Sequence, residues 1–308
     1  MSREDDMDPR KSEISTLINT ITNKVEKPSH LLWKRFRKHK LALFGVYVLP
    51  LFFAVAIFGK WLMPYDPLEV HPEQAMGLPQ PPNANHLLGT DSYGRDVLSR
   101  LISGAQISLS VGFVAVGISL VIGVVLGCLA GFFGGRFDVI ITRSADIFLS
   151  LPTLFLIMIV NSYLPKSIYN VMATIGVFSW MTIMRLVRGE ILRLKETDFI
   201  SAARALGASS IKIIWTHLLP NSIAPIIVAA TIAIPYAILL ESSLSFLGLG
   251  VPLPQASWGN MLYESRQWLS VAWWYWVPPG LFISLTVISF NFIGDGLRDA
   301  FDPTQYSK

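Results

Sequence analysis

The run from Ile102 to Gly135 contains no charged side chain, and it limits what this chain can become. In a bilayer no water reaches the backbone, so a single crossing segment must bond internally as a helix of about 20 residues. The run exceeds one span. Its spacing predicts membrane helix from Ile107 to Phe132 and a tight turn over Phe133-Gly-Gly-Arg-Phe-Asp138. Five more segments read as spans: Leu41 to Gly59 with Lys60 and Trp61 at its boundary, Val139 to Leu164, Ser167 to Met184, Ser222 to Leu247, and Val277 to Ile293. The expected fold class is all-α, a polytopic membrane protein with six transmembrane helices. Composition agrees: 52% of residues are hydrophobic and 15% charged, where soluble domains carry about a quarter charged.

Charge predicts the orientation. With both termini cytoplasmic, the inner segments hold ten Lys and Arg before the first span, two at Arg136 and Arg143, six from Arg185 to Lys212, and two at Arg298 and Lys308. Those twenty face five outside, at Lys60, Arg95, Arg100, Lys166 and Arg266, and cytoplasmic loops carry the excess of basic residues. The chain then divides into a cytoplasmic tail (1–40), a first helix (41–63), an extracytoplasmic loop (64–101), a five-helix core (102–298) with a cytoplasmic loop (185–220), and a cytoplasmic tail (299–308). The first thirty residues are polar and mixed in charge, so the first span is expected to act as an uncleaved anchor. Lys34, Arg35, Arg37, Lys38 and Lys40 alternate with Leu31, Leu32, Trp33 and Phe36. They read either as an interfacial helix on anionic membrane lipid or as the topogenic flank of the first span. No nucleic-acid fold signature accompanies them. Cys128 is the lone cysteine and is expected to be a small buried side chain.

The longest basic interruption between spans holds Ser201-Ala202-Ala203-Arg-Ala-Leu-Gly207, then nine residues, then His217-Leu-Leu219-Pro220. Ala202, Ala203 and Gly207 have offsets compatible with one helical face, where small side chains admit another surface. Ser201 can cap the helix, and Pro220 suits the first turn of the next span. This spacing resembles the EAA loop of ATP-binding-cassette (ABC) importer permeases, with Ser201 in place of Glu and His217 in place of Ile. The resemblance implies a coupling helix that docks on a separate ATPase.

The outer loop is rich in proline and ends His86-Leu-Leu-Gly89-Thr90-Asp91-Ser-Tyr-Gly94-Arg95-Asp96-Val-Leu-Ser99-Arg100. Gly89 and Gly94 permit a turn, Asp91 can cap the following helix, and Arg95 and Arg100 can pair with carboxylates. The expected role is a braced loop, with ligand contact as the alternative. This block is similar to the signature of C-type permeases of dipeptide, oligopeptide and nickel importers, as are Leu240 to Gly250 with Ser257-Trp-Gly259, and Phe290 to Pro303. The resemblance implies an ABC type I importer permease fold and a B-type permease beside this chain. It also implies two ATPase subunits that bind ATP and Mg, a substrate-binding protein outside the membrane, and a peptide or other small solute as cargo.

Intramembrane polar groups are expensive. Glu241 reads equally as a pathway or gate residue and as a carboxylate partnered within the protein. Arg143 and Asp146 are expected to pair with each other, and Asn161 and Asn291 to bond between helices. No catalytic residue or metal site is assigned: His71 and His86 lack partners at metal-ligand spacing, and no P-loop or nucleophile motif occurs. A secondary transporter would carry a second half as an inverted repeat, which six spans do not supply.

Overall fold

The computed structural model describes residues 39–71 and 77–301, together with Trp33, Phe36 and Arg37. Residues 1–32, Lys34, Arg35, Lys38 and the terminal residues from Asp302 lie outside them, and with them most of the two tails. Among the described residues the regular elements are helical, with one isolated antiparallel bridge between Thr90 and Asp96. In chain order they are α1 (Lys40–Leu62), α2 (Val97–Phe133), α3 (Gly135–Leu149), α4 (Thr153–Tyr163), α5 (Ile168–Val177) and α6 (Trp180–Lys195). Then follow α7 (Asp198–Ala205), α8 (Ser210–Ile213), a π-helical turn (Ile214–Leu218), α9 (Leu219–Phe246), α10 (Trp258–Ser265) and α11 (Trp273–Phe301).

Five helical segments are long and apolar enough to cross a membrane: α1, α2, α5 with α6, α8 through α9, and α11. The sixth expected span is not one helix. α3 and α4 together qualify but meet at 86°. The expectation of one continuous helix from Val139 to Leu164 is thus corrected, and Pro152 supplies the reason. It has extended backbone, φ −63° and ψ 113°, and stands as the N-cap of α4. A proline has no N–H to continue the ladder, and it biases the residue before it out of the helical region.

The other spans run past the apolar segments that predicted them. α2 has 37 residues, which at about 1.5 Å per residue is nearly twice a ~30 Å hydrocarbon core. Asp96 caps it, accepting from the Ser99 N–H, so the helix begins at Val97 and carries the charged Arg100. Its partner α6 continues past Met184 to Lys195. Both extensions lie beyond the uncharged runs, where hydropathy alone no longer marks a helix.

α2 packs closely on α6. A Cβ on Gly127 would lie 2.7 Å from Val187 Cβ and 2.8 Å from the Met184 carbonyl, and Gly123 and Gly131 meet Ile183 and Ile191 in the same way. Small residues at four-residue spacing let two helix backbones approach where lipid provides no hydrophobic drive. α6 also holds α3. Arg188 grips Asp138 through two nitrogens, one at 2.7 Å, and Arg185 pairs with Asp146. The Arg143–Asp146 pair is therefore corrected: Asp146 turns to the neighbouring helix, and Arg143 is exposed. Asn161 does bond across helices, donating to Thr174 Oγ1 at 3.0 Å, whereas Asn291 is exposed on α11. Cys128 is buried.

Candidate functional site

α7 sits at one end of the bundle, and its inner face fixes it there. Ile200 is fully buried among Phe132, Ile191, Leu194 and Ile213, and Ala203 and Ala208 pack against the same cluster. Lys195 donates to the Phe132 carbonyl at 2.9 Å, at the C-terminal end of α2, where a cation meets the negative end of the helix dipole. Arg204 lies 5.6 Å over the Phe132 ring. The helix ends in a Schellman arrangement: the Gly207 N–H bonds to the Arg204 carbonyl at 2.9 Å and the Ala208 N–H to the Ala203 carbonyl at 3.1 Å. Gly207 has φ +78°, which a glycine adopts without strain, and a Cβ there would meet nothing.

The outer face is uncovered and carries large apolar side chains as well as the exposed Asp198 and Arg204. Leu206 is 88% exposed, Trp215 69%, Ile211 68% and Phe199 44%, and the small residues Ser201, Ala202 and Ala205 are exposed as well. Phe199 and Leu206 lie before the candidate span that begins at Ser210, and Ile211 and Trp215 lie in its first turns. Large exposed apolar patches mark interaction surfaces.

At the opposite end, the segment before α2 folds into a buried ionic clasp. Arg95 Nε contacts Asp91 Oδ2 at 2.6 Å, and its NH2 contacts Glu264 Oε1 at 2.7 Å. Arg100 NH2 reaches the other Glu264 oxygen at 2.6 Å, and Arg100 Nε lies 3.6 Å from Asp91. Two guanidiniums thus face two carboxylates, all with side chains no more than 6% exposed. Burial alone would pull the Arg95 guanidinium down, yet Asp91 and Glu264 hold it above its ordinary value. His86 Nδ1 meets Asp96 Oδ1 at 3.0 Å, Ser99 Oγ donates to Asp96 at 2.8 Å, and Thr90 Oγ1 accepts from the Gln80 N–H. Gly89 and Gly94 take positive φ and lie against the Gln80 and His71 carbonyls, where a side chain would not fit.

Between the two ends, Glu241 on α9 is fully buried. Its carboxyl accepts from Ser245 Oγ at 2.7 Å, Ser108 Oγ at 3.3 Å and Ser242 Oγ at 3.4 Å. Hydroxyls, not a cation, surround it.

The family described as "Binding-protein-dependent transport system inner membrane component" matches residues 123–305, more than half of the chain. The chain belongs to this family. A second match, "N-terminal TM domain of oligopeptide transport permease C", covers residues 27–82. The chain is 42% identical over 275 residues to the dipeptide transport system permease protein DppC of Alkalihalophilus pseudofirmus, covering 89% of this chain and 90% of that one. It is 38% identical over 284 residues to the oligopeptide transport system permease protein OppC of Bacillus subtilis, covering 91% and 92%. Among solved structures, a chain of the MetNI methionine ABC transporter in an inward-facing conformation matches with TM-score 0.57 and 20% identity, over 67% of this chain and 98% of that one. That likeness concerns the fold alone, an all-helical core.

Several residues of this permease differ in place from their sequence expectation. Ser201 is not the cap: Thr197, with extended backbone, holds that position, and the Ser201 N–H already donates to the Thr197 carbonyl at 3.2 Å. Ala202 and Ala203 part company, Ala202 outward and Ala203 inward. Pro220 falls in the first turn of α9 behind Leu219, as expected, although the helical segment already begins at Ser210 and runs through the π turn that contains His217. Asp91 caps no helix. It closes the turn instead, accepting from the Tyr93 and Arg95 N–H groups at 2.8 and 2.9 Å, and Asp96 takes the cap. Sequence reasoning missed Glu264 and the apolar face of Phe199, Leu206, Ile211 and Trp215. Glu264 had a signal: two arginines in one motif required a carboxylate beyond Asp91.

Proposed function

We propose that this chain is the C-type permease subunit of an ATP-driven, binding-protein-dependent importer of oligopeptides or dipeptides. The observation that carries this reading is the uncovered apolar face of α7 and α8, held rigidly at one end of the spans by Ile200. It has the form of a docking surface for a separate motor. A homologous B-type permease would complete the translocation pathway, and two ATPase subunits would bind ATP and Mg and perform the hydrolysis. A binding protein on the far side would deliver cargo to the end that carries the clasp. This chain itself catalyses no reaction in this scheme. It moves. Peptide is favoured as cargo by the names of both curated relatives, dipeptide for one and oligopeptide for the other. A strain lacking this chain should lose uptake of labelled di- and oligopeptides and keep uptake of Ni(II). The reverse outcome would reassign the cargo.

The reading requires α7 on the cytoplasmic side, with both termini, as the twenty-to-five distribution of basic residues favours. A cysteine placed at the exposed Ser209 in a Cys128→Ala background should react with a membrane-impermeant maleimide only after the cells are opened. Labelling in intact cells would invert the topology.

A further inference from the structure

The structure assigns Glu241 a positioning role: its carboxyl sets the direction of the surrounding serine hydroxyls, and through them holds the segment from Gly248 to Ser257 and the start of α10. Each link is a hydrogen bond with a defined donor. Ser245 Oγ gives its proton to Glu241 Oε1, which leaves its lone pairs to accept from the Val251 N–H at 3.0 Å and from Ser257 Oγ at 3.5 Å. Ser108 Oγ, on α2, gives its proton to Oε2 and accepts from the Trp258 N–H at 3.2 Å. Two backbone N–H groups outside α9 thus hang from one side chain within it.

What the hydroxyls do without a carboxyl is visible in their neighbours. Ser243 turns its proton to the Leu239 carbonyl at 2.7 Å, and Ser110 to the Gln106 carbonyl at 2.7 Å, the back-bond that helical serines adopt by default. Ser245 and Ser108 would rotate likewise if Glu241 were apolar, and their lone pairs would turn away from Val251 and Trp258. Those two buried N–H groups would then be unsatisfied, which is the costly side of a hydrogen bond. The packing amplifies the effect. A Cβ on Gly259 would lie 2.5 Å from Ser242 Cα, and one on Gly250 equally close to Ser245 Cα, so the segment rests directly on α9. It walls a cavity of about 330 Å³ that Asn161, Lys166, Ser245, Asn260 and Tyr263 also line. That this cavity belongs to the outer mouth of the pathway rests on the import reading above. The positioning role does not.

The test reads the segment itself. Val251 is 5% exposed, so Val251→Cys in a Cys128→Ala background reacts with maleimide only when the segment lifts. Labelling is measured on the assembled complex in detergent, which needs neither transport nor a known topology. Glu241→Leu should raise the labelling rate roughly 5- to 30-fold, the factor expected for one to two lost net hydrogen bonds. Glu241→Gln keeps one acceptor for Ser245 and should fall between Leu and wild type. If the side chain only fills space, Leu is the better substitute and the order reverses, which overturns the proposal. If neither substitution changes labelling while peptide uptake falls, Glu241 acts on the cargo path and the proposal is again wrong. Should the Glu241 variants not assemble, Ser108→Ala decides alone: it removes the Trp258 acceptor and should raise labelling, and an unchanged rate sinks the assignment.

Discussion

Gly207→Arg should abolish binding-protein-stimulated ATP hydrolysis and peptide uptake while the six spans remain inserted. Two effects act in the same direction. Gly207 sits at φ +78°, where an L side chain costs about 1–2 kcal/mol, and the arginine would project beside the uncovered apolar face. Gly207→Asn separates them, since asparagine tolerates that backbone region and carries no charge. It should keep most of the activity. The sharper probe is Leu206→Arg. Leu206 makes little contact within the chain, being 88% exposed, so its loss cannot unfold α7. Burying the new charge at an interface centre should cost at least about 2 kcal/mol, near thirtyfold in docking affinity. Ser210→Arg, at the exposed start of α8, should do much less. Stimulated hydrolysis and uptake at wild-type levels in both Gly207→Arg and Leu206→Arg would show that α7 is not where the ATPase docks.

The membrane spans were legible because a bilayer imposes a single rule, and runs such as Ile102 to Gly135 obey it without exception. The same rule hides what happens beyond the apolar layer. Nothing in hydropathy distinguishes a helix that continues past its uncharged run, and α2 and α6 both do so, α2 from the Asp96 cap and the two packed against each other. The break between α3 and α4 was written at Pro152, yet apolar neighbours on both sides masked it. The local motif gave the right block with one wrong assignment: Asp91, expected as the cap, closes the turn, and Asp96, five residues on, caps α2. Partners distant in sequence were the least legible. Glu264 reaches Arg95 across 169 positions, and no periodicity links the two. In the segment from Ser201 to Gly207 the small residues are legible in the sequence, and the large exposed ones around it follow only once the chain's own core has claimed Ile200 and Ala203.

Glu264 also carries the largest stability effect expected in this chain. Glu264→Gln leaves Arg95 and Arg100 buried against one carboxylate, Asp91, so one positive charge is uncompensated. Breaking a buried pair in this way costs about 3–5 kcal/mol, because the surviving charge has lost its water and gained no partner. The complex should therefore be recovered in low yield and melt well below wild type in detergent. Charge balance makes a stronger claim. Combining Glu264→Gln with Arg100→Met leaves Asp91 to Arg95, one pair fully matched at 2.6 Å, and removes the two other buried charges. That double variant should be more stable than Glu264→Gln alone, although it has lost more contacts, since removing both charges of a buried pair costs far less than stranding one of them. Arg100→Met alone should resemble Glu264→Gln, with the sign of the stranded charge reversed. Melting temperatures of the four complexes decide it. If the double variant falls by the sum of the two single losses, the charges act independently, and this end of the permease is held by packing of Trp258 and its neighbours rather than by the ionic clasp.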